Sequence, residues 1–374
     1  MNSSIIYHSA DPEALQTYYR EYNNVDFVIN VGEGRSLVRN SVRIVGDVKV
    51  DGTAGVRVTG GVYFDNKIGI HAVIDSCQTT FNGIGGGVKE NIQNYARWVA
   101  QSAIASLNED DYLNASQQVE LRTTTAQGSE NNALGNITAE TGGTPVTSDI
   151  DFAFKPTCIL NKMVGDHLPF EKSGEIRLTL NLARSIAALE GRSQVVASYY
   201  LLSNLRCSYQ SVSTEGNWSD TSTSMRSVYN VKSSIQSGSA NISAQVPAIC
   251  DSVSCSFQRQ DTENVIRESN YSCQKVPGIT DLQFLFNDST SKYITYQMKD
   301  ENEMLKRYID SFKNTGHNQV MLDTFRTNQG FGVGVDFTGF TDLSNQRFGV
   351  QLSSSILPTS PYNIYMYFHS LVQV

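Results

Sequence analysis

One short segment, residues 175–182, alternates strictly between polar and apolar side chains (EIRLTLNL). Successive side chains of an extended strand point to opposite faces, so this pattern predicts a strand with one face in a core and one in water. A second alternating segment spans residues 25–31, and further short apolar runs are separated by Gly and Asn turns. The chain is therefore predicted to be all-β and built from antiparallel sheets.

Two segments have a helical rather than an alternating pattern. After the glycine-rich residues 83–87, apolar side chains recur at Val88, Ile92, Tyr95 and Val99, a spacing that predicts one amphipathic helix from about residue 88 to 107. Met304, Leu305, Tyr308, Ile309 and Phe312 predict a second helix that ends at Gly316. Both apolar stripes are expected to pack on the sheets of their own domains.

The order of elements is strands, one helix, strands, a polar break, and then the same series again. It predicts two tandem eight-stranded jelly rolls, each with a short helix in a loop. The expected division is an N-terminal arm (1–24), a first roll (25–207) with an exposed loop at 120–150, a linker (208–224) and a second roll (225–374). A strand is also expected at residues 70–74.

The charge of the chain argues against direct, sequence-specific binding of nucleic acid. Its 374 residues include 29 Lys and Arg against 37 Asp and Glu, a formal net charge of −8, whereas nucleic-acid-binding domains usually carry a basic stripe. The first residues have neither the basic nor the apolar region of a signal peptide, and no run is apolar enough for a membrane span. We expect synthesis and assembly inside a cell.

Known catalytic and metal-binding patterns are missing from the sequence. Residues 83–89 (GIGGGVK) lack the Gly-Lys-Ser/Thr ending of a phosphate loop, so a flexible turn is expected there. The carboxylates at 109–111 are interpreted as a solvated helix end. The five histidines and six cysteines show no metal-ligand spacing, and the cysteines are expected to be reduced. We predict no catalytic residue, cofactor or metal site, and no enzymatic activity.

Several segments together resemble the double jelly-roll major capsid proteins of icosahedral DNA viruses. The resemblance is to those of membrane-containing phages, virophages and polinton-like viruses. Four pieces look like parts of the first roll: an opening strand pair, a strand that enters the helix-bearing loop, a late strand and the closing strand. They are residues 27–31 (FVINV) with 37–46 (LVRNSVRIVG), 71–75 (HAVID) with 87–95 (GVKENIQNY), 167–170 (HLPF) with 175–182, and 199–205 (YYLLSNL).

The resemblance implies a homotrimer whose six rolls form a pseudo-hexagonal capsomer in a virus shell. It further implies contacts with neighbouring capsomers, with penton and minor capsid proteins, and with an internal membrane. The arm at 1–24 would link neighbours or lie near that membrane, and the loop at 120–150 would protrude from the surface.

Two other functions are compatible with the same sequence. One is a penton or spike component, with one jelly roll and an extra domain. The other is a β-sandwich that binds or cleaves carbohydrate, since a fold by itself does not specify a function.

Overall fold

A computed structural model describes most of the chain. The described residues are 5–52, 61–107, 119–122, 136–138, 149–191, 198–213, 224–236, 239–246, 249–265, 270–286, 291–297, 301–312, 325, 330–343, 346–354 and 360–373. Within them, no helix is long and apolar enough to cross a membrane.

The first half of the chain contains thirteen strands and three α-helices among the described residues, together with the 3₁₀ helices Gly69–Val73 and Ile159–Asn161. The strands are β1 (Ile6–Ala10), β2 (Asn24–Ile29), β3 (Arg35–Val38), β4 (Arg43–Gly52), β5 (Gly61–Phe64), β6 (Ile74–Phe81), β7 (Gly87–Ile92), β8 (Asn136–Thr138), β9 (Ile150–Phe154), β10 (His167–Pro169), β11 (Ile176–Leu182), β12 (Leu189–Gly191) and β13 (Ser198–Ser213). The helices are α1 (Tyr95–Ser106), α2 (Phe170–Ser173) and α3 (Ser185–Ala188).

Two antiparallel sheets make up the core of this half. In one, β13 lies between β1 and a broken strand formed by β3 and β4; beyond them lie β10, against β3, and β9, against β4. The other has the order β2-β11-β6-β7. A small third sheet, β12-β5-β8, lies apart from this pair.

The second half contains eight strands and one longer helix among the described residues. They are β14 (Ser224–Ile235), β15 (Ser239–Val246), β16 (Ile249–Arg259), β17 (Ile279–Phe286), β18 (Ser291–Gln297), α4 (Glu301–Asp310), β19 (Gly332–Asp342), β20 (Gln346–Ser354) and β21 (Tyr362–Gln373). Their two sheets have the orders β14-β21-β16-β19 and β15-β20-β17-β18.

The two halves share one topology. With β3–β4 and β9–β10 each counted as one broken strand, eight principal strands in each half pair as 1-8-3-6 and 2-7-4-5. This is the jelly-roll order, and both α1 and α4 lie between the fifth and sixth strands of their roll. The predicted fold class, two tandem jelly rolls with a helix in a loop of each, is confirmed.

Strand β11 shows how the sequence pattern becomes a core. It pairs with β2 on one side and β6 on the other, and its residues alternate between buried and partly exposed along its whole length. The alternation is that predicted for residues 175–182. Leu178 and Leu180 point into the first roll, where they are 0% and 3% exposed.

The predicted start of the first helix is wrong by seven residues. Residues 87–92 form β7, which pairs with β6, and Val88 is 58% exposed. Helix α1 begins after Asn94, whose left-handed backbone (φ 50°) turns the chain out of the strand. Val88 and Ile92 match the helical spacing, but hydrogen bonding to β6 satisfies their backbone and overrides that local preference.

The strand expected at 70–74 is also wrong over most of its length. Gly69–Val73 is a 3₁₀ helix, and β6 begins at Ile74. All five residues of this helix are buried. A short run that is apolar apart from His71 is expected equally of a buried strand and of a buried turn, so the pattern does not distinguish them.

The segments expected outside the rolls are partly inside them. The expected arm contributes β1, the first principal strand of its roll, and Tyr19 is buried. In the loop expected to be exposed, residues 120–122 are buried. Strand β13 continues to Ser213, within the expected linker. Most of the loop and the rest of that linker up to residue 223 lie outside the described residues, and the exact domain division stays a prediction.

Changing Leu180 to Asp should prevent folding, because a carboxylate would be forced into the core that the buried face of the β2-β11-β6-β7 sheet covers. We expect a loss of about 4 kcal/mol or more in the free energy of unfolding. Asn181→Asp, on the opposite face of the same strand, is the matched control. Denaturant unfolding followed by circular dichroism measures both, and a soluble, cooperatively folded Leu180→Asp protein would contradict the assignment of this face.

Candidate functional site: the junction of the two rolls

Helix α1 belongs to the first roll but lies against the second. Trp98 is fully buried, and its ring centroid is 5.1 Å from that of Tyr367, 5.4 Å from His369 and 6.4 Å from Phe312. All three partners come from the second half of the chain. The largest side chain of the helix thus fills a space in the other roll.

Arg97, the neighbour of Trp98, makes polar contacts across the same junction. It donates hydrogen bonds to the backbone carbonyl of Ser272 (2.7 Å) and to that of Asn270. Its guanidinium also lies over the rings of Tyr271 and Tyr365, 5.6 and 5.0 Å from their centroids. Arg97 is 3% exposed, so carbonyl oxygens and aromatic faces take the place of water around this buried charge.

Glu90, on β7, connects three segments. Its carboxylate accepts hydrogen bonds from the backbone N–H of Ile159 (2.6 Å), in the first roll, and from that of Val228 (3.0 Å), on β14 of the second. Burial raises the pKa of Glu90 to about 6, against the opposing effect of Lys162 and the two backbone N–H groups. This one side chain holds an edge strand of each roll.

Amide side chains add further bonds between the rolls. Asn230 on β14 accepts from the backbone N–H of Gln93 (2.9 Å) and donates to its carbonyl (2.6 Å). The side-chain amide of Asn270 donates to the carbonyls of Ile186 and Ala187, both at 3.2 Å. Side chains of the second roll thus bond to two segments of the first roll, one after β7 and one in α3.

A buried polar cluster ties α1 to its own roll. Tyr95 Oη lies 2.9 Å from His71 Nδ1 and accepts from the backbone N–H of Thr157 (2.8 Å). His71 Nε2 lies 3.2 Å from Glu120, and Arg122 pairs with that carboxylate at 3.0 Å. Burial lowers the pKa of His71, so His71 is neutral near pH 7 and Arg122 supplies the charge opposite Glu120.

The second helix, α4, packs on its own roll as predicted, but it ends at Asp310, while the predicted end at Gly316 lies outside the described residues. Tyr308 and Phe312 lie edge to face at 5.2 Å, and Tyr308 is buried against β19. Gly332 on β19 permits this, because a Cβ there would overlap the Tyr308 ring. For α1 the expectation is only half right, since Trp98 and Arg97 reach the other roll.

The sequence features considered as possible sites do not converge. The glycine-rich residues 82–86 form the turn between β6 and β7 and no helix follows them directly, so they are not arranged as a phosphate loop. The described histidines lie on four different elements: His8 on β1, His71 in the 3₁₀ helix Gly69–Val73, His167 on β10 and His369 on β21. His317 and the carboxylates at 109–111 lie outside the described residues. All six cysteines are buried, and none of them forms a disulfide. Over the described ranges, no three metal-ligating side chains form a group.

The junction residues were missed by sequence reasoning, which found no site. Arg97 is a charged residue within an otherwise apolar stretch (95–100, YARWVA), which is a local signal, whereas Glu90 lies among polar residues (87–94, GVKENIQN) and has none. Their partners at Val228 and Asn270 are more than a hundred residues away, so the local signal does not identify what they bind.

Known proteins resemble this chain in structure but not in sequence. No family model matches the chain, and no curated protein matches its sequence. Similar structures include a chain of the Sputnik virophage (TM-score 0.61, 11% identity, covering 99% of this chain and 86% of that one). The Faustovirus major capsid protein gives a TM-score of 0.61 at 8% identity and the mavirus major capsid protein 0.54 at 10%, covering 99% and 97% of this chain and 90% and 86% of those chains.

The chain has the fold of these viral proteins. The likeness extends over both rolls, because nearly all of this double jelly roll is covered in each comparison.

Replacing Trp98 by Ala should weaken the junction of this double jelly roll. A cavity would remain between Phe312, Tyr367 and His369, and we expect the free energy of unfolding to fall by about 3–5 kcal/mol. Ile84→Ala, at a side chain that is 84% exposed in the turn between β6 and β7, is the control. Equal stability of the two variants in denaturant titrations would show that Trp98 does not join the rolls.

The buried carboxyl of Glu90 predicts a defined pH dependence. Its pKa is about 6 in the folded chain and 4.5 as a reference, so between these values the unfolded chain releases the proton first. Stability from this group is therefore lost as pH rises through that window, by about 2 kcal/mol in all.

The variant Glu90→Gln removes this titration. The amide N–H₂ of the glutamine would face a backbone N–H where a carboxylate oxygen of Glu90 accepts a hydrogen bond. This mismatch lowers the free energy of unfolding of the variant by an amount that does not depend on pH. We expect the advantage of the wild-type chain over the variant to be about 2 kcal/mol smaller at about pH 7 than at about pH 4. Denaturant titrations at both pH values measure the difference, and an advantage that does not change with pH would contradict this account of Glu90.

Proposed function

We propose that this chain is a major capsid protein, which assembles as a homotrimer into a pseudo-hexagonal capsomer of an icosahedral shell. The observation that carries the proposal is the repeated strand order of the two rolls, joined rigidly by Trp98, Arg97 and Glu90. Three copies then present six similar units around one axis, which is what a hexagonal tile requires.

The surface also favours self-association. The described residues include eleven exposed large hydrophobic side chains, and six of these lie between residues 5 and 22. Among the most exposed are Tyr7 and Leu15, each 76%, and Tyr22, 69%. A soluble monomer rarely exposes such a concentration of apolar side chains, so a partner that covers this segment is expected. Because β1 is paired in the sheet, the segment offers a pre-formed surface rather than a free arm.

The structural neighbours support the same function. Two of them are named as major capsid proteins, and this chain covers 86% or more of each. A penton or spike with one roll and an extra domain fits less well, because both halves of this chain are complete jelly rolls. The carbohydrate-binding alternative predicts binding to glycans on an array, which a capsid role does not require.

The wider assignments follow from that role. The protein would be located in the virion capsid after assembly in the host cell, in contact with neighbouring capsomers, penton and minor capsid proteins, and an internal membrane. It would have no catalytic activity and no direct, sequence-specific contact with nucleic acid, in agreement with its net charge of −8.

Light scattering of the purified protein tests the oligomeric state. Three chains of 41.3 kDa give about 124 kDa, and we expect this mass together with hexagonal particles in electron micrographs. A monomer at all concentrations that also binds glycans on an array would contradict the proposal and favour the carbohydrate-binding alternative.

A double variant tests which surface makes the trimer. Tyr7→Ser with Leu15→Ser should shift the mass towards 41.3 kDa, because the apolar area at residues 5–22 would be lost from the interface. The control is Ile84→Ser, at an equally exposed apolar side chain in the turn between β6 and β7. An unchanged trimer in the double variant, with the control also trimeric, would exclude this segment from the interface.

A further inference from the structure

A cavity of about 750 Å³ lies at the junction, with walls from both rolls. The first roll supplies the C-terminal half of α1 and the segment from Lys155 to Val164, and the second supplies residues 226–228 of β14 and 369–370 of β21. This volume is typical of sites for small molecules. It also lies beside the Trp98 contacts that join the rolls.

Positive charge dominates the walls. Five basic side chains line the cavity, and Glu120 is the one carboxylate among its described lining residues. The five are Arg39, Arg122, Lys155, Lys162 and Arg226. A chain with a net charge of −8 thus places a concentrated positive field at one point between its rolls.

The arginines are held in place by carboxylates. Arg122 pairs with Glu120 on the wall, while Arg39 pairs with Asp166 and Arg226 with Asp251, neither of which lines the cavity. The side chain of Arg39 is 50% exposed and that of Arg122 is 8% exposed. Arg39 therefore lies at the mouth of the cavity and Arg122 in its interior.

Two lysines on the wall have no ion-pair partner within 4 Å among the described residues, Lys155 and Lys162. Lys162 lies over the Trp98 ring at 4.7 Å. Burial lowers the pKa of each lysine, with Arg43 adding repulsion at Lys155 and Glu90 partly opposing the effect at Lys162. Positive charge that is partly desolvated in this way is stabilised by a bound anion.

His369 adds an unused polar atom. His369 is one of the residues that line the cavity and it is buried; its Nε2 lies 3.0 Å from Ser254 Oγ, and its Nδ1 has no hydrogen-bond partner among the described residues. When the Ser254 hydroxyl donates to Nε2, Nδ1 carries the proton and is a donor.

We propose that this cavity binds a phosphate-rich anion, either a free oligophosphate or the phosphate end of a nucleotide. Lys155 and Lys162 would supply point charges, and the arginines planar donors for phosphate oxygens. The space exceeds that needed by one orthophosphate, and several cations at separate points suit an anion with charge on more than one group. A bound anion would draw both rolls together, because Lys155 and Lys162 come from one and Arg226 from the other.

Isothermal titration calorimetry at low ionic strength tests the proposal, with sodium triphosphate, ATP and adenosine as probes. The wild-type chain should bind triphosphate and ATP with saturable heat and a raised melting temperature. Lys155→Gln should weaken binding about tenfold, while Lys155→Arg retains most of it. Lys306→Gln, which removes an exposed charge on α4 that does not line the cavity, is the control and should bind as the wild type does.

Comparison of the three probes distinguishes a nucleotide from a free oligophosphate, and it also shows when the site does not exist. Tighter binding of ATP than of triphosphate identifies a nucleotide, and equal binding identifies the phosphate chain alone; both support the site. Absence of saturable binding, binding of adenosine as tight as that of ATP, or equal weakening by Lys155→Gln and Lys306→Gln would overturn it.

Discussion

The insertion of Trp98 into the second roll holds the two halves of this chain in one arrangement. A jelly roll buries its own sheets and is complete without a neighbour, so two of them on one chain are free to move unless something large crosses between them. Helix α1 provides that crossing: Trp98 packs against Tyr367 and His369, and Tyr95 holds the same helix in the first roll. The mutual orientation of the rolls follows from one helix that is buried on both sides.

Buried charge makes this junction specific as well as stable. Apolar packing tolerates rotation and sliding, whereas Glu90 and Arg97 satisfy their hydrogen bonds in one arrangement of the two rolls. A shift of β14 along β7 would leave the Glu90 carboxylate buried without its partners, at a cost of several kcal/mol. The pseudo-hexagonal capsomer that we propose needs this rigidity, because six units tile regularly only when the angle between the two rolls of each chain is constant.

Local patterns predicted elements well wherever one face of a strand is buried. Strand β11 was predicted with its faces correctly assigned, since the period of two leaves no other solution. The prediction was wrong where tertiary contacts override spacing: residues 87–92 pair with β6 and residues 69–73 form a buried 3₁₀ helix. No site was predicted, because Glu90 and Arg97 act on backbone groups that are distant in the chain.

Local sequence patterns are enough to predict antiparallel sheets, a helix in each half and two similar domains in succession. These properties depend on side chains a few positions apart, which the period of two residues in a strand or 3.6 in a helix places on one face. Long-range packing sets the strand order, the place of residues 6–10 in a sheet and the gathering of Arg39, Lys155 and Arg226 around one cavity. Such contacts join residues tens to hundreds of positions apart, and closure of the loops between them is decided by the packing of the whole core.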